Sequence, residues 1–243
     1  VSKSIAVFGT GPGLGQAVAR RYAREGYTVV LVARRREPLE LLAADLAGTG
    51  ATAHVVTADL ADTAAVPGLA AQIRAKVGDL DAFYYAPTPG IVDGFVSATD
   101  LTAQRAHDFM PLIFYTPLEL VREFLPSMMD RGEGAILTAQ GASGVRGMAH
   151  LSGPGPAQAA QRNYVQSLRA EVADKGIHVG TLYIGAAIRN TPFHAGMEAA
   201  RAAGEYVPDL PVADPDHLAD QLWSGHVAKD RLEATFPDPL FGD

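Results

Sequence analysis

The residues with the clearest chemical potential lie early in the chain. Gly9-Thr10-Gly11-Pro12-Gly13-Leu14-Gly15 follows the apolar run Ser4–Phe8 and precedes a segment with Leu14, Val18 and Tyr22 at helical spacing. Glycines in that place permit a tight turn and let an anion approach the backbone. The amides that open the next helix then point at the anion. A pattern with glycines at its first, third and sixth places does not fit, because Leu14 takes the last place. The spacing present is Gly9-xxx-Gly13-x-Gly15, and the chemistry it implies is the binding of a dinucleotide pyrophosphate.

A second apolar run, residues 27–33, ends at Arg34-Arg35-Arg36. An acidic residue at such a strand end would bind a ribose 2′-hydroxyl, and neither Ala33 nor Arg34 is acidic. A guanidinium offers a planar fork for a 2′-phosphate. NADP(H) is therefore the cofactor expected, with Arg34 as its first contact and Arg35 next. The plainer alternative is a solvated basic cluster at a strand end.

These loops need elements to position them. Strands are expected at 4–8, 27–33, 51–57, 80–85, 133–139, 177–184 and 232–236, and helices at 13–25, 38–47, 63–77, 111–130, 156–175 and 214–226. Strands alternating with helices imply an α/β fold, a single-domain doubly wound parallel sheet of the Rossmann type. About seven strands are expected, with helices on both faces and right-handed crossovers. Ligands then bind beyond the carboxyl ends of the strands, at the topological switch point. One domain is expected over residues 1–243, with residues 190–212 as a substrate lid or a small helical insertion.

Composition removes several function classes. The 243 residues include no cysteine, which excludes a disulfide scaffold, a thiolate nucleophile and a cysteine-ligated metal. The seven histidines are scattered with no i,i+4 pair, so no metal site is expected. A net charge of −7 gives no footprint for nucleic acid. The longest apolar runs are strand-sized, so no membrane span is expected. The first residues read as a strand rather than a signal peptide, and a cytoplasmic protein is expected.

With these residues the sequence resembles the short-chain dehydrogenase/reductase family over nearly the whole chain. Gly9-xxx-Gly13-x-Gly15, Ala33-Arg34-Arg35, Ala58-Asp59-Leu60, Leu125-Pro126, Gly134-Ala135-Ile136-Leu137 and Lys175-Gly176-Ile177-His178-Val179 carry the resemblance. It implies that Gly9, Gly11, Gly13, Leu14, Gly15, Arg34, Arg35, Asp59, Leu60, Ala86 and Gly185 contact the cofactor, with Asp59 at the adenine. It also implies a homodimer or homotetramer, joined through the long helix before residue 130 and the helix at 156–175.

The family's catalytic residues do not follow. Family enzymes place a serine at the end of the fifth strand and Tyr-xxx-Lys on the next helix. An ungapped alignment through Gly144 and Ala159-Ala160 puts Gly141 at the serine, Pro154 at the tyrosine and Gln158 at the lysine. Ile113 falls near the place of the family's helical asparagine. The lysines are Lys3, Lys76, Lys175 and Lys229, and none lies four or seven residues after a tyrosine. Glycine and proline side chains carry no transferable proton, and a neutral glutamine does not lower a neighbouring pKa as an ammonium does. The stretch Ser152-Gly153-Pro154-Gly155-Pro156 should delay the helix, with Pro156 suited to its first position.

Replacement acids were weighed against plainer roles. His150 before the rebuilt loop titrates near neutrality, but also suits an exposed loop. Tyr85 ends the fourth strand, where packing against the adenosine half of a cofactor is the plainer role. Tyr115 suits helix packing. The sequence therefore carries two main readings. One is an NADP(H)-binding protein that senses the cofactor, regulates a partner or serves as a non-redox subunit. The other is an NADPH-dependent oxidoreductase for an activated carbonyl, enone or imine, a small-molecule substrate needing little help from a protein acid. A scaffold that has no use for the cofactor ranks last.

Overall fold

The computed structural model describes residues 2–88, 95–205, 207 and 209–241. Seven parallel strands form one sheet: β1 (Ser4–Phe8), β2 (Thr28–Ala33), β3 (Ala53–Thr57), β4 (Ala82–Tyr85), β5 (Gly134–Gly141), β6 (Ile177–Ile184) and β9 (Glu233–Phe236). Their order is β3-β2-β1-β4-β5-β6-β9, so the chain reverses direction across the sheet between β1 and β4. β7 (Ala187–Ile188) and β8 (Val212–Ala213) form a separate two-stranded parallel pair.

Helices cover both faces. On one face α1 (Leu14–Arg24), α2 (Arg36–Gly48) and α8 (Pro215–Ala228) bury Val18, Tyr22, Leu39, Leu42, Leu218 and Leu222 against Val7, Leu31, Tyr84 and Leu137. On the other, α3 (Val66–Val77), α5 (Thr116–Arg131) and α6 (Gly155–Val172) bury Ile73, Leu120, Phe124 and Val165 against Phe8, Phe83, Ile136 and Val179. The inner strands read as continuous apolar runs because helices cover both their faces. α7 (Pro192–Ala202) follows β7, so a helix occupies part of the expected 190–212 segment, of which residues 206 and 208 lie outside the described residues.

The long crossover differs from expectation. It starts not at Pro111 but at Thr102, whose side chain accepts the Arg105 amide and caps α4 (Ala103–Met110). A π turn, Pro111–Tyr115, joins α4 to α5. Proline is tolerated there because the widened turn has already broken the regular ladder. Two of its carbonyls are satisfied from the side, Leu112 by the Tyr85 hydroxyl and Ile113 by Gln161 Nε2 at 2.8 Å. α6 begins at Gly155, one residue earlier than expected, with Pro154 as its cap residue.

Candidate functional site

The glycine loop sits at the switch point. Gly9 has φ +91°, and a Cβ there would lie 2.7 Å from the Pro87 nitrogen in the loop after β4. Gly13 has φ +90°, and its Cβ would lie 2.6 Å from Thr191 Cγ2 in the loop after β6. A Cβ on Gly15 would come within 2.2 Å of the Gly9 carbonyl oxygen. Only glycine permits that left-handed turn together with these approaches. Gly11 is different: its Cβ would meet nothing closer than 4.0 Å, and its amide bonds the Gly9 carbonyl at 2.7 Å. α1 opens with Leu14 and Gly15, without a side-chain cap and without an acidic residue in its first turn. An anion is the natural partner for those first amides.

Arg34 and Arg35 are exposed at the end of β2. Arg36 is turned to Glu40 at 3.4 Å, and among the described residues no ion pair holds Arg34 or Arg35. Asp59 is exposed after β3, where its carboxylate accepts the Ala61 amide at 3.0 Å, while Leu60 is buried beside it. Ala86 continues β4, its amide bonded to Phe8 at 3.2 Å, and packs over Gly9. These residues fit a 2′-phosphorylated dinucleotide: a cradle that any Cβ would fill, an uncapped helix start and two free guanidinium groups. Gly185 fits less directly. Its Cβ would lie 3.2 Å from Leu240 Cδ1 and 3.6 Å from Ala142, so packing within the chain also explains its missing side chain.

The end of β5 meets the start of α6. A Cβ on Gly141 would lie 3.4 Å from Gln158 Nε2 and 3.6 Å from Ser143 Oγ. The positions matched to the family's serine and lysine are therefore neighbours in space. Ser143 Oγ donates to Gln158 Oε1 at 2.6 Å. Pro154 is buried in the turn ahead of α6. Gln140 is buried, and its carboxamide faces the Tyr183 hydroxyl without a well-formed hydrogen bond. Tyr183 donates instead to Glu233, which Arg162 holds through two bonds of 2.8 and 2.9 Å. The Arg162 guanidinium keeps the Glu233 carboxyl below its usual range.

The three replacement candidates do not gather here. The Tyr85 ring is 1 % exposed and its hydroxyl is committed to Leu112, so it is a core residue, and burial raises its pKa well above normal. Tyr115 points outward from the π turn, 37 % exposed, with Phe114 as its ring neighbour. His150 is exposed at φ +61°, and its Nδ1 meets Ser97 Oγ at 2.8 Å. It ties the loop after β5 to the loop after β4, where Val96 and Ser152 also form an antiparallel bridge. Phe95 in turn contacts Phe193 of α7, with ring centroids 6.4 Å apart.

Nothing local in the sequence marks Ser143, Ser97 or Thr191 for these roles. Ser143 lies two places beyond the aligned serine, and only the fold brings it to Gln158. Among the described residues no group of three or more His, Asp or Glu side chains is placed to hold a metal ion. No described helix is long and apolar enough to cross a membrane.

Comparison with known proteins agrees with this geometry. The family model for short chain dehydrogenases matches residues 3–201. A fatty acyl-CoA reductase of Mycobacterium tuberculosis is 29 % identical over 74 % of this chain and 62 % of its own length. An uncharacterized oxidoreductase of the same organism is 32 % identical over 78 % of this chain and 56 % of its own length. The chain thus spans about three fifths of these two curated relatives. The L-sorbose reductase of Gluconobacter frateurii, solved with NADPH and L-sorbose, shares the fold with a TM-score of 0.83 at 22 % identity, covering 96 % of this chain and 94 % of that one.

Proposed function

This chain belongs to the short-chain dehydrogenase family, and from that premise we propose that it binds NADP(H) without running the family's ordinary alcohol–ketone interconversion. The carrying observation is the trio Gly141, Pro154 and Gln158 at the junction of β5 and α6, where none of the three side chains transfers a proton. Bound NADPH is a hydride donor. Around it the chain supplies Gly9, Gly13 and Gly15 for close approach, the α1 amides for the pyrophosphate, Arg34 and Arg35 for the 2′-phosphate, and Asp59 with Leu60 at the adenine. A site that binds the cofactor and lacks the acid suits a sensor, a regulator or a non-redox subunit.

A second reading is reduction of an acceptor that is already activated, a conjugated carbonyl or an imine. The Ser143–Gln158 pair favours it, because a fixed amide N–H supports charge on an oxygen without giving up its proton. In either reading residues 1–243 act as one nucleotide-binding domain, residues 190–212 flank the substrate side, and two copies pair through α5 and α6. Titration with NADPH and with NADH, followed by nicotinamide fluorescence, tests the cofactor half. Tight NADPH binding with much weaker NADH binding is expected. Equal affinities would remove the role of Arg34, and binding of neither would leave the loop a relic on a scaffold.

A further inference from the structure

The hydrogen bond from Ser143 to Gln158 Oε1 uses the acceptor half of the carboxamide. Its two N–H donors are then turned away from Ser143. They face the space left by Gly141, whose Cβ would stand 3.4 Å from Nε2. The pair is tightly built in. A Cβ on Gly144 would lie 2.9 Å from Gln158 Cβ, and one on Gly155 would lie 3.3 Å from the Ser143 carbonyl oxygen. Glycine at both places lets the turn at residues 142–144 close onto α6. A second carboxamide adjoins it. Gln140 is 8 % exposed, neither of its amide atoms has a hydrogen-bond partner, and its Oε1 lies 3.3 Å from the same Gly144 Cβ position. Unpartnered buried amides are unfavourable, so the cluster is incomplete as it stands.

We propose that Gln158, held by Ser143, receives the carbonyl oxygen of an uncharged conjugated aldehyde or ketone at the end of β5. This rests on the reading that the site keeps a ligand while lacking a proton donor. The three polar side chains, Gln140, Ser143 and Gln158, carry no charge. A neutral carbonyl suits them, whereas a carboxylate would bring a charge with nothing in the cluster to offset it. Gln158 touches the ligand. Ser143 acts through Gln158 and is a positioning residue.

The probe is 4-dimethylaminocinnamaldehyde, whose absorbance moves to the red when its carbonyl oxygen accepts a hydrogen bond. The full chain is titrated with it, alone and with NADP+, which has no hydride to give. A red-shifted bound spectrum is expected. Gln158→Leu and Gln158→Glu each remove the shift and weaken binding at least tenfold. Ser143→Ala weakens both effects, and Ser143→Thr restores them. NADPH affinity stays within twofold in every variant, and thermal melts establish that each is folded. No red shift in the wild type overturns the proposal, as does a shift that survives Gln158→Leu. A loss of NADPH affinity in Gln158→Leu with the probe unaffected also overturns it, because the amide then serves the cofactor. A wild-type chain that shifts the probe but binds no NADPH sinks the cofactor reading and supports this one.

Discussion

A Cβ atom on Gly15 would fall 2.2 Å from the carbonyl oxygen of Gly9. The first turn of α1 rests directly on the residue where β1 gives way to the loop. In Gly15→Ala the helix start must back away or the Gly9 peptide must twist, and either change moves the amides that meet the pyrophosphate. NADPH affinity should fall at least tenfold, and stability by about 1–3 kcal/mol, as for other overpacked sites. Gly48→Ala, at the open end of α2 with no neighbour within 4 Å, should change neither. Fluorescence titration and urea unfolding read both. Full NADPH affinity in Gly15→Ala would remove the loop from the site.

At the opposite end of the sheet, His178 and His226 stack with ring centroids 5.9 Å apart and 12° between their planes. Burial is the main reason both are pushed down to about 4. His226, Arg169 and Lys229 add to this for His178, and Lys229 and Lys3 for His226. The folded pKa lies below the unfolded one near 6.5, so the unfolded chain takes up protons first. The stabilisation is fully present above pH 6.5 and is lost as pH falls through 4. Between pH 7 and 5 the pair should cost about 2–4 kcal/mol of stability. His226→Gln keeps a partner for the Tyr22 hydroxyl, which bonds His226 Nδ1 at 2.9 Å, and should roughly halve the pH slope in urea unfolding. A flat profile between pH 7 and 5 would contradict the pairing.

The Tyr85 hydroxyl donates to the Leu112 carbonyl in the π turn. Tyr85→Phe leaves that carbonyl without this donor, which should cost about 1–3 kcal/mol in thermal or urea unfolding. NADPH affinity should not move. The reverse result, unchanged stability with weakened binding, would return Tyr85 to the ligand site.

The frame is largely legible in the sequence because its signals are local. β1 and β6 have the bounds that their apolar runs suggest, since strands covered on both faces have no reason to alternate. The glycine loop is legible because each glycine answers a backbone demand within a few residues. The long crossover misleads at Pro111, which resembles a helix start. The helix continues through it because Tyr85 and Gln161, distant in sequence, supply the donors that the widened turn needs. The site beyond the cofactor is legible only as losses at Gly141, Pro154 and Gln158. What stands in their place depends on pairs such as Ser143 with Gln158 and Ser97 with His150, which meet only after folding.

The most direct measurement uses the chain in molar excess over NADPH, so that the cofactor is bound, with a panel of unactivated ketones. Nicotinamide absorbance follows oxidation in a single turnover. General acid catalysis is worth about 10²–10⁴-fold, and the account assigns none of it to this site. Bound NADPH should therefore be oxidised no faster than free NADPH across the panel. Rapid, complete oxidation by any simple ketone would contradict the account, because some side chain would then be delivering the proton that Gly141, Pro154 and Gln158 do not.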